Sequence, residues 1–305
     1  MNFTANNYLK YTIGGREYGY RETPEEQYKV TVGAIDYDQY RLSSFENELH
    51  RTAQLVREDL GKDLILFLSG GTDSEIVLRN FLYNGFKPRC VMLKFENDYN
   101  IKEVEEAIQI AKELDVKLEI IDFNVRNFFF SGEATEFGEQ IQCTQITYIM
   151  VYYNILKLGF PAVMGGEAGL TRHVELNKSY WYYAFRENED ASAVRFSLKY
   201  NIPLVNEWFS YTPELLLYYL ESDGIKKLVS EKYNYKLTAA SSKNNILETM
   251  YPYFRKKKKK HGFESLLAFN SIAYEDIGMN QVPRLEFSLD GIPYMEIIKQ
   301  LKGKQ

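Results

Sequence analysis

One junction limits the folds open to this chain more than any other. Leu64-Ile65-Leu66-Phe67-Leu68 runs without a break into Ser69-Gly70-Gly71-Thr72-Asp73-Ser74. A short run of consecutive apolar residues reads as a strand buried on both faces. The glycines end it, and a helix beginning near Asp73 carries Ile76, Val77, Leu78, Phe81 and Leu82. The step then repeats. Cys90-Val91-Met92-Leu93 reads as a second buried strand, and Ile101, Val104, Ala107, Ile108, Ala111 and Leu114 share one helical face. Leu118-Glu119-Ile120-Ile121 is a third strand. After a polar stretch at 131–145, a helix around 144–158 and a strand at 162–164 resume the pattern. Strands alternating with helices across short linkers predict a parallel sheet with right-handed crossovers.

The flanks read differently. Leu42, Phe45, Leu49, Val56 and Leu60 form a helical face closed by Gly61. Before it, Tyr8, Tyr11 and Ile13, then Gly14-Gly15, then Tyr18 and Tyr20 predict a β-hairpin. Alternation is expected to end near 175, with helices near 213–221, 224–231 and 243–251. Leu285, Phe287 and Leu289, then Asp290-Gly291, then Ile292 and Tyr294 predict a second hairpin. The division expected is 1–60 for hairpin and helix, 61–175 for a nucleotide-binding core, and 176–305 for a mainly helical substrate region.

Composition excludes several classes. With 45% apolar residues in 305, the chain has ample material for a core. A net charge of −5 argues against wholesale coating by nucleic acid. Cys90 and Cys143 are the only cysteines, so neither a disulfide framework nor a zinc site of the usual spacing is expected. This fits a reducing, cytoplasmic setting. No apolar run has the length of a membrane span. His50, His173 and His261 are dispersed. Cys90 reads as core, and Cys143 as a candidate thiol in a substrate loop. Trp181-Tyr182-Tyr183 and Trp208-Phe209 read as core or interface.

The turn at 69–74 carries the chemistry. Two glycines admit positive φ and let backbone N–H groups approach an anion. Ser69, Thr72 and Ser74 add hydroxyls, and the helix start adds its dipole. This is a cradle for phosphate or pyrophosphate. Asp73 is odd beside an anion unless it holds Mg²⁺ that bridges the phosphates. The plain alternative is a glycine turn with an Asp or Ser helix cap. No GxxxxGK[ST] loop is present.

These residues resemble the PP-loop signature SGGxDS of the ATP pyrophosphatases, whose fold is the HUP, adenine nucleotide α-hydrolase-like parallel sheet. The resemblance implies a substrate ATP cleaved between its α- and β-phosphates, with Mg²⁺ on Asp73. It implies nucleotide binding by Ser69, Gly70, Gly71, Thr72, Asp73 and Ser74, and by Phe95 at the second strand's end, where the family meets the adenine. Two further segments are similar to the asparagine synthetase branch. Ala162 to Gly169 ends a strand in Gly165-Gly166-Glu167, which implies nucleotide contacts at both glycines and a metal or catalytic role for Glu167. The branch's Asp-Glu pair is replaced here by Leu170-Thr171-Arg172, so either Glu167 substitutes, or a later carboxylate such as Glu175 or Glu187 does, or the second metal contact is lost. Lys258-Lys259-Lys260-His261-Gly262-Phe263 is similar to R-x-K-x-G-F, making Lys260 the catalytic cation and Lys258 the arginine's replacement.

The function expected is an AMP-forming ligase that adenylates a carboxylate or carbonyl oxygen for attack by an amine or ammonia. Its partners would be small-molecule carboxylates and amines, without a membrane and without a glutaminase domain of its own. Nucleic acid held through Lys256–Lys260 is the minority reading. The alternatives are a nucleotide- or tRNA-modifying PP-loop enzyme, by thiolation or nitrile formation, and a non-catalytic ATP-binding module.

Overall fold

A computed structural model describes residues 9–13, 16–17, 23, 25–33, 44–166, 169–175, 178–230, 278–279, 285 and 289–303. Its centre is a five-stranded sheet built from β4 (Ile65–Phe67), β5 (Arg89–Phe95), β6 (Leu118–Phe123), β7 (Ala162–Met164) and β10 (Leu204–Val205). Every pairing in it is parallel. The order across the sheet is β10-β7-β4-β5-β6. The chain therefore starts at the centre, steps outward to β6, then returns to the other side of β4. The order reverses between β4 and β7, and ligands of open α/β sheets bind at the strands' carboxyl ends beside such a reversal.

The apolar run that predicted β4 explains why helices cover both faces. Leu64, Leu66 and Leu68 belong to one core, shared with α1 (Phe45–Leu60), α2 (Thr72–Tyr83) and α3 (Ile101–Glu113). Ile65 and Phe67 belong to the other, shared with α4 (Val125–Phe130), α5 (Glu133–Ile141), α6 (Ile146–Leu158) and α7 (Ser192–Tyr200). Both sets are buried, because alternate side chains of one strand serve opposite faces. Among the described residues no helix is long and apolar enough to cross a membrane.

Two small antiparallel sheets flank this core. At the N-terminus β1 (Leu9–Ile13) pairs with β2 (Arg16–Glu17), Ile13 opposite Arg16, as the expected hairpin requires. A third strand, β3 (Tyr28–Val32), joins β1 from the other side. The second small sheet holds β8 (Leu170–Glu175), β9 (Lys178–Arg186) and β11 (Leu289–Pro293). Trp181, Tyr183, Trp208 and Phe209 are buried in the first core. The helices expected near 213–221 and 224–231 are α8 (Pro213–Glu221) and α9 (Asp223–Ser230); that at 243–251 lies outside the described residues.

Three expectations are corrected. The parallel sheet does not end near 175, because β10 extends it. The stretch 131–145 is largely helical: Ala134, Phe137 and Ile141 bury one face of α5. The C-terminal segment does not form a hairpin over 289–294. Asp290 and Gly291 pair with Phe185 and Ala184 inside β11, and Tyr294 opens helix α10 (Tyr294–Leu301). A tertiary partner, β9, overrides the local turn preference.

A charged layer lies inside the fold. Arg195 of α7 and Glu187, at the end of β9, pair at 2.9 Å with 1% of each side chain exposed. Asp190 and Glu207 are buried nearby. Burial, followed by the charge of Asp190, holds the Tyr28 hydroxyl of β3 well above its usual range. The hydroxyl of Tyr28 therefore stays protonated beside these carboxylates. Removing one partner of a buried pair is costly because the other charge stays desolvated. Arg195→Met is expected to lower unfolding free energy by about 3–5 kcal/mol in urea titration; a loss below about 1 kcal/mol would contradict this placement.

Candidate functional site

β4 ends at Phe67 and the chain turns at once into α2. Gly70 makes the turn at φ +71°. Its α-carbon lies so close to α3 that a Cβ there would stand 2.5 Å from the Glu103 carbonyl oxygen. Both requirements, positive φ and no side chain, explain the glycine. Gly71 follows as the N-cap residue, and no side chain caps the helix start. The plain alternative, a turn stabilised by an Asp or Ser cap, is therefore not what forms. The serines brace the loop instead. Ser74 Oγ accepts from the Ser69 backbone N–H at 3.2 Å, lies 3.1 Å from Ser69 Oγ, and donates to the Gly71 carbonyl at 3.2 Å. Ser74 is buried, whereas Ser69 and Gly71 face solvent. A braced, glycine-lined helix start suits an anion, which meets N–H groups and the positive end of the dipole.

The second glycine pair closes the other wall. A Cβ on Gly165, just after β7, would meet the Ser74 nitrogen at 2.4 Å and the Asp73 carbonyl carbon at 2.6 Å. A Cβ on Gly166 would meet the Asn206 carbonyl oxygen at 1.7 Å, just after β10. Three strand ends, those of β4, β7 and β10, are therefore packed backbone to backbone at the reversal point of the sheet. The sequence-expected residues Ser69 to Ser74, Gly165 and Gly166 come together there. The contribution of 206–207 was not anticipated, because a two-residue edge strand leaves almost no pattern to read.

The remaining candidates divide. The Phe95 side chain is buried in the second core against Phe123, at a centroid distance of 6.2 Å, and its backbone N–H donates to the Asn100 Oδ1 at 2.9 Å. Glu187 is committed to Arg195, which removes it as a replacement metal ligand. The side chains of His173 and Glu175 are outside the described set, as are Glu167, Lys258, Lys260, His261 and the basic run 256–260. Cys143 is buried and its thiol donates to the Asn188 carbonyl at 3.0 Å, a packed position rather than a reactive one in a substrate loop. Burial pushes the Cys90 thiol up to about 12.

Among the described residues no cluster of three or more His, Cys, Asp or Glu could hold a metal. Mg²⁺ carried on a nucleotide would need one or two carboxylates beside phosphate and water oxygens. Asp73, in the first turn of α2 beside the glycine cradle, fits that arrangement. The parallel sheet with the Ser69–Ser74 turn at the end of its central strand is the α/β architecture expected from the sequence.

No family model and no curated protein matches the chain. Two of the solved structures similar to it illustrate the likeness. One is a predicted subunit of tRNA methyltransferase from Methanocaldococcus jannaschii, at 16% identity and a TM-score of 0.35, covering 65% of this chain and 94% of that one. The other is NMN synthetase from Francisella tularensis, at 13% identity and a TM-score of 0.35, covering 81% of this chain and 99% of that one.

Two measurements check this site. Gly165→Ala forces a methyl group into the α2 backbone and is expected to cost about 1–3 kcal/mol of stability. It should weaken binding of inorganic pyrophosphate as well; unchanged binding and stability would separate the two loops. Thiol alkylation followed by peptide mass mapping at pH 8 should leave Cys90 and Cys143 unmodified in the native protein. Rapid labelling of either would contradict their burial.

Proposed function

We propose that this protein is an ATP-using, AMP-forming enzyme of the PP-loop type, and that it acts as a ligase. The observation that carries the reading is the uncapped start of α2 at Gly71, braced by Ser69 and Ser74 and walled by Gly165. In this reading the ATP phosphates lie over Ser69–Ser74, with the backbone N–H groups of the turn and the dipole of α2 taking up charge on the leaving pyrophosphate. Mg²⁺, held by Asp73 when bound, would screen the phosphate oxygens.

The acceptor would be a carboxylate or carbonyl oxygen that attacks the α-phosphorus. An oxygen–phosphorus bond forms, the α–β bridging bond breaks, and pyrophosphate departs with the electron pair. An amine or ammonia then attacks the acyl carbon and releases AMP, its proton passing to solvent or to a neighbouring base. Lys260 and Lys258 are the cations proposed for the pyrophosphate, and Glu167 the residue proposed to orient the nucleophile. Rate would come mainly from alignment and from charges fixed before reaction.

Incubation of the purified protein with Mg²⁺, α-labelled ATP, pooled amino acids and ammonia tests this. AMP and pyrophosphate are the expected products, and Asp73→Ala should reduce their formation by about two orders of magnitude. Release of ADP would contradict the reading. Stimulation by bulk tRNA rather than by amino acids would replace the ligase with a tRNA-modifying enzyme.

A further inference from the structure

The carboxyl ends of α1 and α2 come together at a hollow away from the cradle. Gly61 and Lys62 follow α1 and precede β4, whereas Ser69–Ser74 follow β4. α2 begins at the cradle and ends at Tyr83, 12 residues and about 18 Å further on. The hollow has a volume of about 520 Å³ and is lined by Gln54, Arg57, Glu58, Gly61, Lys62 and Asn84. That is the size of a small-ligand pocket, about 300–1,000 Å³.

An aromatic platform stands beside it. His50, Gln54, Arg57 and Gly61 follow one another at steps of four, three and four, so they lie along one stripe of α1. At the head of this stripe the His50 imidazole stacks on the Tyr83 ring, with centroids 3.4 Å apart and planes 4° apart. His50 is buried, while Tyr83 is 70% exposed. One face of the tyrosine is therefore covered and held, and the other is open to solvent. Asn84, the next residue, ties the two helices together. Its Nδ2 donates to the His50 and Asn80 carbonyls at 2.9 Å each. The platform is thus continuous in the chain with the lining of the hollow.

The lining is cationic. The Arg57 guanidinium lies 5.2 Å from the centre of the Phe86 ring. Among the described residues, neither it nor the Lys62 ammonium is paired with a carboxylate. Glu58 is the carboxylate of the lining, and its Oε1 accepts from Gln54 Nε2 at 2.9 Å. Helix carboxyl ends carry partial negative charge on their open carbonyls. Several of those carbonyls are closed here: Gly61 N–H donates to Arg57, Gly85 N–H to Leu82 and Phe86 N–H to Phe81. Two cations against one carboxylate leave place for a single anionic group.

We propose that this hollow is a second ligand site, which takes a nucleoside monophosphate with its base on the free face of Tyr83 and its phosphate on Arg57 and Lys62. Every base has a π-face, so an exposed aromatic ring accepts any of them. A guanidinium fork and an ammonium are the donors that suit phosphate oxygens. Their charge matches one phosphate and falls short of a triphosphate. The cradle takes no part, so the proposal stands independently of the ATP reading.

Isothermal titration of the full chain with AMP, UMP and adenosine, in excess pyrophosphate to occupy the cradle, tests this. Tyr83→Ala, Tyr83→Phe and Lys62→Gln are compared with the wild type; Tyr83 and Lys62 are surface residues, so the variants fold. The wild type should bind both monophosphates, and adenosine about tenfold more weakly. Tyr83→Ala should weaken AMP and UMP by about tenfold, and Tyr83→Phe should stay within about twofold of wild type. Lys62→Gln should weaken the monophosphates by about threefold and leave adenosine unchanged. Monophosphate binding untouched by Tyr83→Ala, or adenosine bound as tightly as AMP, would overturn the proposal, as would a wild type that binds neither monophosphate. Pyrophosphate binding, measured alone, should be the same in all variants; its loss together with that of AMP would make Tyr83 a support of the fold and overturn the assignment.

Discussion

Backbone packed on backbone through glycine holds the carboxyl end of this sheet together. Gly70 seats the central turn on α3, Gly165 seats the β7 loop on Asp73 and Ser74, and Gly166 seats it on Asn206. Each contact is closer than any Cβ would permit. Peptide groups rather than side chains therefore line the reversal point, which suits a ligand recognised by N–H groups and dipoles. The surrounding α/β layers exist in consequence: buried strands fix these loops, and helices on both faces bury the strands.

Charge is distributed to match. The carboxyl end of β4 leads into a helix start with no side-chain cap, whereas the acidic residues nearby are held inside. Glu187 pairs with Arg195, and Glu207 accepts from the Ser210 hydroxyl at 2.8 Å. Both carboxylates are thus taken up by partners within the fold. Tyr28 and Val30 of β3 are buried in the first core, so the N-terminal sheet packs on it although it contributes no strand to the five-stranded sheet.

The central strands were legible because a strand buried on both faces leaves an apolar run that little else produces, as at Leu64–Leu68. The turn was legible because its chemistry is local: two glycines and three hydroxyls within six residues. What escaped reading depends on distant partners. β10 is two residues long and is defined only by its pairing with β7. Asp290-Gly291 has the local signature of a turn, yet β9 straightens it. Asn100 is one polar residue between a strand and a helix, and its bond to the Phe95 N–H appears only in the fold. The expected Lys260, Lys258 and Glu167 belong to segments outside the described residues, so their part in the site rests on resemblance alone.

The central claim is that 69–75 and 163–166 form one anion cradle. Amide hydrogen exchange, followed by mass spectrometry with and without ATP, tests it directly. The account predicts slowed exchange in both segments together, with pyrophosphate alone reproducing the effect. Protection confined to other parts of the chain, or to one segment without the other, would contradict it.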